Sequence, residues 1–168
     1  LASELNLLPA PLICENGGQI VWRSDGVDAA SAAPTVLGAD RSQILAVLAD
    51  LKQQFRFRSF ADLGLQGVIE LTQLDSEPAR AAMDRHCTEP LVWDDHPDSI
   101  NGFRTSLHDQ GLTLTRGGRF WHVAGQTSKG AALRVVVDAV NAGAKDGHVR
   151  TAAIGDSPID QSMLDVAD

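Results

Sequence analysis

The chain has little from which to build a covalent or metal-braced framework. Its two cysteines, Cys14 and Cys87, stand far apart in no ligand-like spacing, so they read as reduced thiols, neither a disulfide framework nor a metal site. His86, His96, His108 and His148 show no ligand spacing either, which excludes a zinc centre. No apolar run approaches the roughly 18 residues of a membrane span, and no signal-peptide pattern is present; a cytoplasmic location is expected. Positive charge is also scarce. Fourteen Lys and Arg face 22 Asp and Glu, for a net charge of −8 and a pI near 4.9. That argues against nucleic-acid and membrane-surface binding, both of which need basic patches. An anionic substrate would have to be drawn in by local groups. Internal repeats and low-complexity tracts are absent. What is present is a 168-residue chain with 43% hydrophobic residues, enough for a real core in one ordinary domain or two small ones.

Turn and periodicity signals divide the chain. Residues 11–14 and 19–22 read as short strands about Glu15-Asn16-Gly17-Gly18, a turn whose residues tolerate positive φ. Residues 24–40, rich in Ser, Ala, Gly, Asp and Pro, read as a linker. Asp40 then serves as N-cap for an amphipathic helix over 41–53, with Ile44, Leu45, Val47, Leu48 and Leu51 at helical spacing. Residues 55–60 suggest a strand. A helix follows from Asp75 or Ser76 to about His86, then a strand at 91–93 and a helix over 98–109 ending at Gly111. Residues 112–116 and 119–123 form a hairpin around Gly117-Gly118. A helix opens at Ser128-Lys129-Gly130, and a buried strand at 151–154 leads into Gly155-Asp156-Ser157-Pro158-Ile159-Asp160. The ends read as βα pieces of a parallel sheet, and the middle as an inserted α+β module.

Four sets of residues carry chemistry. Asp156 and Asp160, with Ser157 between them, follow a strand at a sheet edge, where open α/β folds place sites. Paired carboxylates suit Mg²⁺, which takes oxygen ligands and keeps several waters; the same residues equally decorate a helix N-terminus as caps. Lys129 sits at a helix start, where a cation opposes the dipole, and so seeks a carboxylate or phosphate partner or stays a surface lysine. Asn16 and Gly17 either bring backbone close to a ligand or form a plain hairpin turn. Arg85, Glu89, Arg119 and His122 flank strands of the inserted module. Arginine suits capture of carboxylate or phosphate, although some of these residues will pair only with local acids.

The ordered set resembles the haloacid dehalogenase superfamily of phosphotransferases, of the Cof-like IIB type. The closer match is to the mannosyl-3-phosphoglycerate phosphatase family. It is carried by Arg85-His-Cys-Thr-Glu89-Pro90-Leu-Val-Trp93, by Gly117-Gly118-Arg119-Phe120-Trp121-His122, and by Ser128-Lys129-Gly130 with Gly155-Asp156-Ser157-Pro158. Glu15-Asn16-Gly17 stands where that family carries a Glu-Asn-Gly turn. The resemblance implies a partial Rossmann-like core in residues 1–23 and 126–168 and an inserted α+β cap of the C2B type over 24–125. It implies a Mg²⁺-dependent phosphatase of a phosphorylated sugar-glycerate, with no assigned oligomeric state. Lys129 would steady the phosphate. Asp156 and Asp160 would hold Mg²⁺, supported by Ser157. Asn16, Gly17, Arg85, Glu89, Arg119 and His122 would recognise substrate. The family has Asn where this chain has Ile159, which removes one polar group near the metal. Its first two motifs, including the nucleophilic aspartate of an aspartyl-phosphate mechanism, would precede Leu1, and further strands would follow Asp168. The chain is thus expected to be a segment of a longer enzyme, inactive alone. Another sugar phosphatase of the superfamily, or a non-catalytic α/β binding module, are the competing readings.

Overall fold

Short alternating segments pair into two antiparallel sheets in the computed structural model, which describes residues 10–22, 33–143 and 149–168. The chain divides into two compact units, Leu1–Gly38 with Thr127–Asp168, and Ala39–Gln126. The expected boundary between residues 23 and 24 lies outside the described residues, as does most of the linker.

In the first unit, β1 (Leu12–Cys14) and β2 (Gln19–Val21) form the hairpin about the Glu15–Gly17 turn. Glu15, Asn16 and Gly17 have φ of 50°, 57° and 95°. The left-handed turn that the Asn-Gly pair permits is therefore the one observed. A third strand, β3 (Thr35–Val36), pairs with β2 inside the segment expected to be linker, and the Trp22 indole N–H donates to Thr35 Oγ1 at 2.8 Å. Helix α5 (Lys129–Gly143) packs on β1 and the turn. A one-turn 3₁₀ segment (Pro158–Asp160) leads into the short α6 (Gln161–Leu164).

The second unit builds a four-stranded sheet in the order β4 (Phe57–Ser59), β5 (Thr88–Trp93), β7 (Trp121–Gly125), β6 (Leu112–Arg116). Helix α1 (Arg41–Leu51) starts at Asp40, whose side chain accepts from the Ser42 N–H. Its residues Ile44, Leu48 and Leu51 lie on one stripe and are buried. They meet Phe103 and Leu107 of α4 (Ile100–Asp109) and Phe57, Leu91, Leu112, Leu114 and Val123 of the sheet in one core. Gly111, at φ 72°, ends α4 as the sequence predicts.

Two readings are corrected here. Residues 61–72, assigned no element from sequence, form helix α2 (Phe60–Thr72) together with Phe60, which makes the expected strand over 55–60 stop at Ser59. Gly64, at φ 62° and ψ 179°, interrupts the helical backbone and its periodicity. The Ser59–Asp62 capping box that opens the helix overrides that break. With α3 (Ser76–Met83), α2 encloses a second small core of Phe60, Val68 and Ala79. The other correction concerns the ends of the chain. Thr151–Ile154 is not a strand, and Ile154 is 94% exposed. All the ladders among the described residues are antiparallel, not parallel. A strand exists only against a partner, and this run has none among the described residues.

Candidate functional site

Three stretches far apart in sequence converge on the first turn of α5: the Glu15–Gly17 turn, Thr127–Gly130, and Gly155–Ser162. Glycine makes the approach possible. A Cβ on Gly17 would overlap the carbonyl group of Ser128, and one on Gly130 would overlap the backbone of Ser162. Thr127 Oγ1 donates to the Gly17 carbonyl at 3.0 Å. Ser128 Oγ accepts the Ala131 N–H at 3.1 Å and caps the helix.

Lys129 finds its anion in Asp160. The Lys129 ammonium donates to Asp160 Oδ1, which answers the unfavourable placement of a cation at a helix start. Asp160 Oδ2 accepts the Ser157 N–H at 3.2 Å and the Ser157 hydroxyl at 2.9 Å. Gly155 leaves the room this requires, since a Cβ there would overlap Asp160. The Lys129 hydrogen bond, then the Ser157 hydroxyl, hold the Asp160 carboxyl down to about pKa 2. Asp160 is only 6% exposed. Asp156 and Ser157 are exposed at the mouth of the turn, and Asn16 is half-buried beside Gly17. Ser162 and Thr127, which tie these pieces together, escaped the sequence reading. A small hydroxyl residue has no pattern that marks it, although Gly130 beside Lys129 signalled a close contact.

A metal is tested by the donors. Among the described residues no group of three or more His, Cys, Asp or Glu side chains is arranged to hold an ion. Mg²⁺ asks for less, one or two carboxylates with water completing its shell. Asp156 is exposed, and Asp160 Oδ1 keeps a lone pair beyond its bond to Lys129. The donor set fits such an ion and does not fit zinc.

The remaining sequence candidates lie in the second unit, and the sheet separates them. Alternate strand residues face opposite sides. Pro90 pairs with His122 across β5 and β7, so His122 shares a face with Thr88. Arg85 lies beside both: its Nε donates to the Ala82 carbonyl at 2.8 Å and an Nη to Thr88 Oγ1 at 3.1 Å. Burial, then the Arg85 charge, push the His122 imidazole down to about pKa 4, so it stays neutral. Its Nδ1 is buried without a hydrogen-bond partner among the described residues. Glu89 faces the other way. It is fully buried, with Oε2 bound to Arg41 Nε at 2.7 Å and Oε1 to the Ala61 N–H at 2.8 Å. Arg119 stands at the hairpin, donating to the Leu71 and Thr72 carbonyls at 2.5 and 3.3 Å, where it caps α2.

No family model matches the sequence. Curated relatives do. The chain is 30% identical over 168 residues to a glucosyl-3-phosphoglycerate/mannosyl-3-phosphoglycerate phosphatase of Methanococcoides burtonii, covering 94% of this chain and 61% of that protein. It is 30% identical over 129 residues to the protein of the same name from Persephonella marina, covering 76% and 47%. In structure it is similar to a crystallised protein of Thermoplasma acidophilum, with a TM-score of 0.51 and 13% identity over 83% of this chain and 51% of that one, a likeness of fold alone. No helix among the described residues is long and apolar enough to cross a membrane. The chain is thus similar, over most of its own length, to the glucosyl-3-phosphoglycerate/mannosyl-3-phosphoglycerate phosphatases, and it spans about half to three fifths of the length of the curated relatives it matches.

Proposed function

We propose that the protein carrying this chain is a Mg²⁺-dependent phosphatase of phosphorylated sugar-glycerates, mannosyl- or glucosyl-3-phosphoglycerate foremost. The names of the two relatives support the substrate class. The observation that carries the reading is the Lys129–Asp160 pair at the start of α5, with the exposed Asp156 carboxylate in the same turn. On this reading the unit built from both ends of the chain is a haloacid-dehalogenase-type core and the inserted unit is its cap, and the division of the chain into two such units supports it.

Lys129 stands against a carboxylate that stays ionised far below neutral pH. It presents positive charge to the phosphate and to the charge that grows on the transferring oxygens, without reorganising. Asp160 holds it from below and Ser157 holds Asp160. Asp156, with Asp160 or a water on it, would hold Mg²⁺, which supplies further neutralisation of the phosphoryl group when bound. Arg85 and neutral His122 would recognise the leaving group, the guanidinium taking the glycerate carboxylate. The covalent step is attack of an aspartate carboxylate on phosphorus, with the glycerate oxygen that carried the phosphate leaving as it takes up a proton from a second carboxyl group; water then splits the acyl phosphate to return the carboxylate and release phosphate. The attacking aspartate is not one of the site residues assigned to this chain.

The test is phosphate release by the full protein from mannosyl-3-phosphoglycerate, glucosyl-3-phosphoglycerate and p-nitrophenyl phosphate, with Mg²⁺ and with chelator. Release should require Mg²⁺ and favour the sugar-glycerates. Arg85→Ala should raise KM for these far more than for the generic ester. Turnover indifferent to chelator, or equal loss on all three substrates, overturns the proposal.

A further inference from the structure

We infer that Ser162 is a positioning residue, the lock that sets Lys129 against Asp160. Its activity arm rests on the function proposed above; its chemical arm does not. Lys129 leads α5 and Asp160 precedes α6, so the pair meets only if the two helix starts keep one spacing. Two contacts set that spacing, and both involve the same two residues. The Gly130 N–H donates to Ser162 Oγ at 3.2 Å. The Cα of Gly130 also lies so close to the Ser162 backbone that a Cβ would overlap its carbonyl. The first four N–H groups of a helix have no partner within it, and Gly130 is the second residue of α5. Its N–H is therefore free to bond outward, and Ser162 takes it. Lys129 and Gly130 are adjacent, and Asp160 and Ser162 are two apart. Each member of the ion pair is thus bolted to a member of the backbone contact. The ammonium alone, on four rotatable bonds, does not define its own position; the glycine–serine contact defines the base from which it reaches.

Ser162 touches neither phosphate nor metal in this arrangement, so its loss should act through Lys129. Removing one hydrogen bond of this kind changes an equilibrium by a factor of about 5. Ser162→Ala should lower kcat about three- to tenfold while KM changes less than twofold, and Ser162→Thr, which keeps the hydroxyl, should restore it. The second readout needs no turnover. Lys129 acylation by acetic anhydride, followed by mass spectrometry with Lys52 as internal reference, should quicken severalfold in Ser162→Ala and return toward the parent rate in Ser162→Thr. Unchanged Lys129 labelling in Ser162→Ala, with or without enzymatic activity in the parent, overturns the inference. Absence of phosphate release in the parent overturns only the functional proposal. A Ser162→Ala protein whose Lys52 and Lys129 both label faster, with a lowered Tm, shows general loosening and also overturns it.

Discussion

Lys129 and Asp160 illustrate how one contact gives a residue both its stability role and its chemistry. The carboxyl is held at about 2 against an ordinary value of 3.8. Its folded-state pKa is depressed, so the pair contributes fully above about pH 4 and its contribution is lost as pH falls toward 2. Urea denaturation of the parent and Lys129→Met should therefore differ at pH 6 and converge near pH 2. The same variant should lose phosphate release by at least about a hundredfold, the scale of removing one preorganised charge. His122 has the opposite chemistry and the same direction of shift. Its imidazole is held near 4 against 6.5. The unfolded chain binds the proton first, so stability is full above about 6.5 and declines as pH falls toward 4. Its ring resonances should not titrate above pH 5, and a midpoint near 6.5 would refute this. The sequence identified Lys129, Asp160, Arg85 and His122 as polar residues in telling places, because their neighbours were unusual for each type. It did not reveal which would meet. Glu89 shows why: one residue from Thr88 and Pro90, it points to the opposite side of the sheet and is consumed by Arg41 and Ala61.

Elements differ in how openly they announce themselves. Helix α1 is legible because Asp40 caps it and its apolar stripe is unbroken. Helix α2 is hidden because Gly64 interrupts the stripe, although Ser59 and Asp62 form the reciprocal cap that starts it. Ser59→Ala should cost about 1 kcal/mol in chemical denaturation, and no effect would mean the cap is incidental. Arg41 joins α1 to the sheet by a buried ion pair. Arg41→Ala leaves the fully buried Glu89 carboxylate uncompensated and should destabilise by about 3–5 kcal/mol. Arg58→Ala breaks the bidentate Arg58–Asp94 pair on the exposed face of β4 and should cost far less, because water screens it. Equal effects of the two substitutions would refute the distinction.

Across the whole molecule, each unit depends on contacts between distant stretches. Phe103 stands within 5.0 to 5.3 Å, ring to ring, of Phe55, Phe57 and Trp93, and is fully buried. Phe103→Ala should cost about 3–5 kcal/mol, measured as a shift in the denaturation midpoint followed by tryptophan fluorescence. Amino-acid order alone determined the local events: the left-handed Glu15–Gly17 turn, the capped helix at Asp40, and the hairpin after Gly111. Each depends on residues within a few positions of one another, where backbone preference and capping act directly. Tertiary structure decided the rest. It left Thr151–Ile154 out of any ladder, paired β3 with β2, turned Glu89 inward, and brought Lys129 to Asp160. Those outcomes depend on which surfaces meet after the chain closes on itself, and neither periodicity nor local propensity encodes that meeting.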